Sequence, residues 1–497
     1  MDLTNKRVLV MGLGVHGGGL GVAQWLVRQG ALVTATDLKT AEQLKPSLDA
    51  LRGLSIRYVL GKHRDEDFVN TDLIVRNPSV PRESRYLALA RERGIPIEME
   101  MGLLITALPR GAAQVVGITG TKGKTTTTLM VGAMLAKANP KTVVAGNLRV
   151  SALDLLDQID AETPVVLELS SWQLEGLEPH GVSPHIAAIT NISADHLDRY
   201  RDMDDYAEAK SVIFRYQQLD DFIVLNFDNV FLTRLSSRAR GRIIWTSTRQ
   251  RLDEGAYCDG DALAWQWRGA RHTICNVRDL RVPGAHNVEN ALTAIALASC
   301  WGATPQQIGD ALAEFRGVEH RQELVRELGG VRYINDTTAT APAATIAALE
   351  TLAPGASGIV LIVGGADKSL DFGEMARAIA AKVRRVVLLE GTATGKIIRA
   401  LHNARAQDTI IGRFENLQYA VECARDIARP GDIVLLSPGC ASFGMFASEF
   451  ERGEKFKQIV GQLDNKVVGH PGNRSIRQLG NQSIGQLGNQ ATRQSGN

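Results

Sequence analysis

Gly120-Thr-Lys-Gly-Lys-Thr-Thr126 is the stretch whose residue types and spacing most directly imply chemistry. Gly120 and Gly123 let backbone N–H groups turn toward phosphate oxygens, Lys124 carries a charge that can reach the β- and γ-phosphates, and the Thr125 hydroxyl suits Mg²⁺. Thr121, Lys122 and Thr126 complete the nucleotide-binding run. A cradle of this kind needs a strand ending before it and a helix opening after it, since a helix N-terminus favours negative charge. The apolar run Val115 to Ile118 supplies the strand, and Thr125 onward, with Leu129, Met130 and Met134, supplies the helix. The strict phosphate-loop pattern asks for a glycine where Ile118 stands, so the mechanics are met and the pattern is not. A plain glycine turn with a solvated lysine is the alternative; strand, glycines, Lys-Thr and helix in the required order favour the cradle.

Other polar groups stand where apolar runs end. Glu168 lies inside Val165-Val-Leu-Glu-Leu169, and a carboxylate flanked by apolar residues beside a phosphate loop is placed to hold Mg²⁺ directly or through water. His196 follows the run from His185 to Ile192; alone it reads as a structural histidine, and its position at a strand end favours function. Upstream, the strand Arg7-Val-Leu-Val-Met11 enters the Gly12-x-Gly14-x-x-Gly17 turn, a helix follows from Val22 to Arg28, and a second strand over 31–36 ends on Asp37. Glycines for close approach to a diphosphate and an acid for a ribose hydroxyl fit this unit, with Asp37 as a turn cap the competing reading.

These groups require alternating strands and helices. Strands are predicted near 72–76 and 95–98, then at 141–145, 163–170 and 185–192, followed by a β-rich stretch over 222–281 and a long alanine-rich helix opening near Asn287. Strands at 331–336, 358–365, 383–389 and 432–437 describe a further doubly wound α/β domain. The fold class expected is α/β in three domains: a Rossmann-like domain over 1–110, a central P-loop ATPase-like parallel-sheet domain over 111–312, and a C-terminal doubly wound domain over 313–465. From Ser475 an eight-residue repeat rich in Gln, Asn and Gly begins, and residues 466–497 are expected to be disordered for lack of apolar side chains.

At 497 residues, with 44% hydrophobic and 22% charged, the composition is that of a soluble globular enzyme of several domains. A formal net charge of +2 offers no basic field for nucleic acid. No apolar run reaches the roughly 18 residues of a membrane span, so a cytoplasmic protein is expected. Five cysteines at irregular spacing read as reduced thiols.

Beyond these single readings, several motifs stand in a fixed order: Gly120 to Thr126, Glu168-Leu-Ser-Ser-Trp-Gln-Leu174, Asn191-Ile-Ser-Ala-Asp-His-Leu-Asp-Arg-Tyr200, Tyr206-Ala-Glu-Ala-Lys210, His286-Asn287, His320-Arg321 and Asn335-Asp336. The ordered set resembles the Mur ligase family over roughly residues 5 to 460. With an N-terminal nucleotide-sugar domain, it most resembles the branch that adds glutamate to UDP-N-acetylmuramoyl-L-alanine. The resemblance implies ATP and two Mg²⁺ ions. One ion is implied at Thr125 and Glu168, the other at His196 and an N-carbamylated Lys210, so that Lys124, Glu168, His196 and Lys210 form the catalytic set. Asn287, Asn290, Arg321 and Asp336 are implied at the nucleotide. Gly14, Asp37, Asn147, Ser170 and Gln173 are implied at the sugar-nucleotide substrate, and Thr340, Lys368, Ser442 and Phe450 at the glutamate. The protein is expected to be a monomer with no nucleic-acid partner and no membrane insertion.

Departures from the family pattern are Thr338, where Lys is frequent, the long turn through Gly19, and Gly146-Asn-Leu-Arg149. The rival readings are another amino-acid-adding member of the family, such as one using L-glutamate, a nicotinamide-dependent oxidoreductase built on the Gly12 turn, and a nucleotide switch without ligase chemistry. The oxidoreductase reading leaves the Lys124 motif without a role, and the Asp-Asn-Pro-Arg stretch of the diaminopimelate- and lysine-adding ligases is absent.

Overall fold

Long apolar runs bounded by glycines form parallel strands buried on both faces, and the described residues make three sheets built mainly on such strands. The computed structural model describes residues 2–14, 18–148, 151–193, 201–282, 284–368 and 370–464. His196 and the repeat tail lie outside the described residues. The chain divides into two compact units, residues 1–315 and 316–497.

The first unit carries two of the sheets. Strands β1 (Arg7–Met11), β2 (Leu32–Asp37), β3 (Ile56–Leu60), β4 (Leu73–Arg76) and β5 (Ile97–Glu98) pair in the order β3-β2-β1-β4-β5, all parallel. The order reverses at β1, so the crevice for a ligand opens at its C-terminal end, where Gly12 turns. The helix there begins at Gly18, earlier than the apolar pattern from Val22 announces.

Strands β6 (Val115–Thr119), β7 (Val143–Gly146), β8 (Val165–Glu168), β9 (Ile186–Ile189), β10 (Phe222–Asn226), β11 (Arg242–Ser247), β12 (Gly255–Asp259), β13 (Ala262–Trp267) and β14 (Ala270–Asn276) form the second sheet. Its order is β14-β13-β12-β11-β10-β9-β6-β8-β7, parallel from β7 to β12 and antiparallel beyond. Met130 and Met134 of the helix Lys124–Ala138 and Ile295 of the helix Ala285–Trp301 share one core with Ile118, Val166 and Val224. That packing fixes the helix that follows β6 and, with it, the loop between them.

In the second unit, β15 (Glu323–Leu328), β16 (Val331–Asn335), β17 (Gly358–Gly364), β18 (Arg385–Leu389), β19 (Ile410–Phe414) and β20 (Asp432–Leu436) run in the order β15-β16-β20-β17-β18-β19. Only the β15–β16 pair is antiparallel among these. All five cysteines are free, and burial pushes the Cys300 and Cys440 thiols up to about 12. Among the described residues no helix is long and apolar enough to cross a membrane.

Candidate active site

β6 lies between β9 and β8, so the C-terminal ends of three strands converge on the loop that follows it. Gly120 (φ +147°) and Gly123 (φ +83°) shape that loop: a Cβ on Gly120 would run into the Thr190 hydroxyl, and one on Gly123 into the Asn290 amide. The segment after β9 holds the loop in place. Thr121 N–H donates to the Asn191 carbonyl (2.9 Å), Lys122 N–H to Asn191 Oδ1 (2.9 Å), and the Thr190 hydroxyl to the Lys122 carbonyl (2.6 Å). Thr190 and its pairing with the loop were not identified from the sequence; the available signal was a polar Thr-Asn pair closing an apolar run.

Two lysines meet at this loop. Lys124 Nζ donates to the carbonyls of Gly120 (3.0 Å) and Thr121 (3.1 Å). Lys210, on the helix Met203–Arg215, is 2% exposed and donates from Nζ to the same Gly120 carbonyl at 3.0 Å, with the Tyr206 ring centroid 4.5 Å away. A buried ammonium requires partners of this kind. Thr125 is half-buried in the first turn of the helix.

Glu168 ends β8 in register with Ile118 of β6 and Gly146 of β7. It is 2% exposed; Oε1 accepts from Asn147 Nδ2 at 2.8 Å, while Oε2 is buried without a hydrogen-bond partner among the described residues. An orphaned carboxylate oxygen is costly unless something positive meets it, so the donor set of Glu168 and Thr125 fits a hard divalent cation. Ser170, two residues beyond the end of β8, forms a capping box with Gln173 on the short helix Ser171–Leu174. Asn290, whose amide lies against Gly123, donates to Asn287 Oδ1 (3.2 Å) and accepts from the Thr127 hydroxyl (3.4 Å).

On the first sheet, Asp37 accepts from the Gly14 amide (3.0 Å) and the Lys39 amide (2.9 Å), so it caps its own turn and the glycine turn together. Glu100 lies close to Gly18, accepts from the Ser151 hydroxyl at 2.5 Å, and is pushed up to about 7 by burial, with Ser151 opposing and Asp154 adding to the shift.

In the second unit, Asp336 follows β16. Its Oδ2 accepts from the Ser437 hydroxyl (2.7 Å) and its Oδ1 from the Gln322 amide (3.2 Å). Burial raises its carboxyl to about 7 against the pull of those two donors and of the Arg321 charge; Arg321 itself is exposed. Paired amides between Ala366 and Ala441 (2.9 and 3.2 Å) tie the segment carrying Lys368 to the one carrying Ser442. Lys368 is exposed, Thr340 half-buried, and the Ser442 hydroxyl buried without a partner among the described residues. Phe450 packs edge-on against His320, ring centroids 5.4 Å apart. Each unit therefore gathers a part of the expected site: Lys124, Thr125, Glu168, Lys210 and Asn290 in the first, Asp336, Thr340, Lys368 and Ser442 in the second.

Residues 6–98 match the Mur ligase MurD-like N-terminal domain, 118–298 the Mur ligase middle domain, and 320–440 the Mur ligase glutamate ligase domain. The chain is 52% identical over 468 residues to a UDP-N-acetylmuramoylalanine–D-glutamate ligase of Roseiflexus sp. (strain RS-1), covering 93% of this chain and 99% of the relative. It is 39% identical over 467 residues to the ligase of the same name from Pelotomaculum thermopropionicum, covering 92% and 98%. Among solved structures, UDP-N-acetylmuramate-alanine ligase MurC from Thermotoga maritima shares the fold at a TM-score of 0.58 and 22% identity, covering 92% of this chain and 99% of that one.

Proposed function

The chain belongs to the Mur ligase family, and from that premise we propose that it joins D-glutamate to UDP-N-acetylmuramoyl-L-alanine at the expense of ATP, a cytoplasmic step of peptidoglycan precursor synthesis. What carries the reading is that all three Mur ligase domains stand in order in a chain spanning nearly the whole length of its D-glutamate-adding relatives.

The substrate carboxylate attacks the γ-phosphorus of ATP, ADP leaves, and the glutamate amine displaces phosphate from the resulting acyl phosphate. In this scheme the loop amides and Lys124 hold the phosphoryl oxygens as their charge redistributes. To do so Lys124 exchanges its bonds to the Gly120 and Thr121 carbonyls for bonds to phosphoryl oxygens. Thr125 and Glu168 would hold Mg²⁺, which supplies charge stabilisation at the transferring group. The orphaned Glu168 Oε2 supports that assignment. A second ion on His196 and a carbamylated Lys210 is part of the proposal, supported on this chain by Lys210 facing Gly120. The sugar nucleotide is assigned to Gly14, Asp37, Asn147, Ser170 and Gln173, the nucleotide also to Asn287, Asn290, Arg321 and Asp336, and the amino acid to Thr340, Lys368, Ser442 and Phe450.

An isotope test addresses the acyl phosphate directly. With ¹⁸O in the substrate carboxylate, one label appears in the released phosphate if the carboxylate is phosphorylated. Phosphate free of ¹⁸O, with amide formed, contradicts the mechanism.

A further inference from the structure

Arg452 is the largest fully buried side chain of the described residues, 1% exposed, on the first turns of the helix Glu449–Gln462. Its guanidinium makes no ion pair among the described residues. Nε donates to the Thr337 hydroxyl (2.9 Å), and Nη2 donates to the Thr337 carbonyl (2.9 Å) and the Cys440 carbonyl (3.5 Å). Burial lowers its pKa to about 10 against the opposing pull of Cys440 and of Glu449 one turn earlier on the helix, which leaves it charged near neutrality. Thr337 is itself buried and donates its hydroxyl to the Glu449 carbonyl at 2.7 Å. Gly453 allows the helix to come this close, since a Cβ there would strike His320 and Thr337.

A buried cation with only neutral acceptors is expensive, and its bonds go to two segments at once. One leads from Thr337 to Thr340 and the other from Cys440 to Ser442, whose buried hydroxyl has no partner among the described residues. Thr338 stands beside Thr337 where lysine is frequent in the family, so this segment lacks a charge of its own.

We propose that Arg452 is a positioning residue for the incoming amino acid: its guanidinium locks the Thr337–Thr340 and Cys440–Ser442 segments in one register and lends them positive charge that favours a carboxylate. The inference rests on the proposed glutamate-ligase reading. A planar fork holding two backbones is not replaced by an ammonium.

The test is steady-state kinetics on the full chain with each substrate varied in turn. Arg452→Lys and Thr337→Val are compared with wild type, the second because it removes the acceptor hydroxyl and keeps the charge. The KM for D-glutamate is expected to rise about 10- to 100-fold in Arg452→Lys and several-fold in Thr337→Val, with the KM for ATP and for the sugar nucleotide within about twofold. A glutamate KM unchanged in Thr337→Val, or a uniform rise for all three substrates, overturns the proposal. Should Arg452→Lys fail to fold, Thr337→Val decides alone. Wild-type protein that does not use glutamate at all rejects the underlying reading instead, which keeps the two failures apart.

Discussion

Lys210 Nζ and the Gly120 carbonyl are 3.0 Å apart, joining the helix Met203–Arg215 to the phosphate loop from a residue ninety positions away in the chain. The contact brings a buried lysine to the loop proposed to cradle phosphate. Carbamylation would turn that ammonium into an anionic oxygen ligand suited to Mg²⁺. Lys210→Ala is expected to lower kcat about 100-fold or more, with partial recovery in acetate or another short carboxylate. Wild-type turnover in Lys210→Ala contradicts the second metal site.

Lys124→Ala is expected to lower kcat about 100- to 1000-fold, because its charge acts on the phosphoryl group as charge redistributes. Binding of the sugar nucleotide, measured by calorimetry, should change little. Equal losses in both would point to a collapsed loop instead.

Gly123→Ala tests the loop's shape. The left-handed φ of +83° and the Asn290 amide both oppose a Cβ there. Backbone strain of about 1–2 kcal/mol and a displaced Asn290 should lower the melting temperature by roughly 2–8 °C and raise the KM for ATP. An unaltered ATP KM would detach Asn290 from nucleotide binding.

Asp336 makes stability depend on pH. Its folded pKa of about 7 lies above the ordinary carboxylate value, so from about pH 4 to 7 the unfolded chain ionises first and holds fewer protons there. Its contribution is fully present below the unfolded pKa and is lost as pH rises through about 7. Asp336→Asn, compared with wild type by thermal unfolding, should therefore be relatively more stable at pH 8 than at pH 5. A difference that does not vary with pH would mean that Asp336 is not held neutral.

Much of this was legible in the sequence where the physics is local. The loop from Gly120 to Thr126 announces itself because strand, glycines and helix are contiguous, and Glu168 because a carboxylate closes an apolar run. The strands β3, β12, β14, β15 and β19 were not resolved individually. β14 and β15 are edge strands, and Ala270–Asn276 and Glu323–Leu328 are largely unburied, so backbone pairing rather than apolar patterning defines them. The helix beginning at Gly18 was hidden because glycines in a first turn read as turn residues. Asn290 against Gly123 and Arg452 against Thr337 are contacts between distant segments, and no spacing rule reports them.

The most direct measurement of the central claim is phosphate release from ATP by the purified protein with Mg²⁺, UDP-N-acetylmuramoyl-L-alanine and one amino acid from a panel that includes D- and L-glutamate. Sustained release is predicted only when the sugar nucleotide and D-glutamate are both present, with one glutamyl amide formed per phosphate. Release that proceeds without an amino acid, or that prefers L-glutamate, contradicts the account.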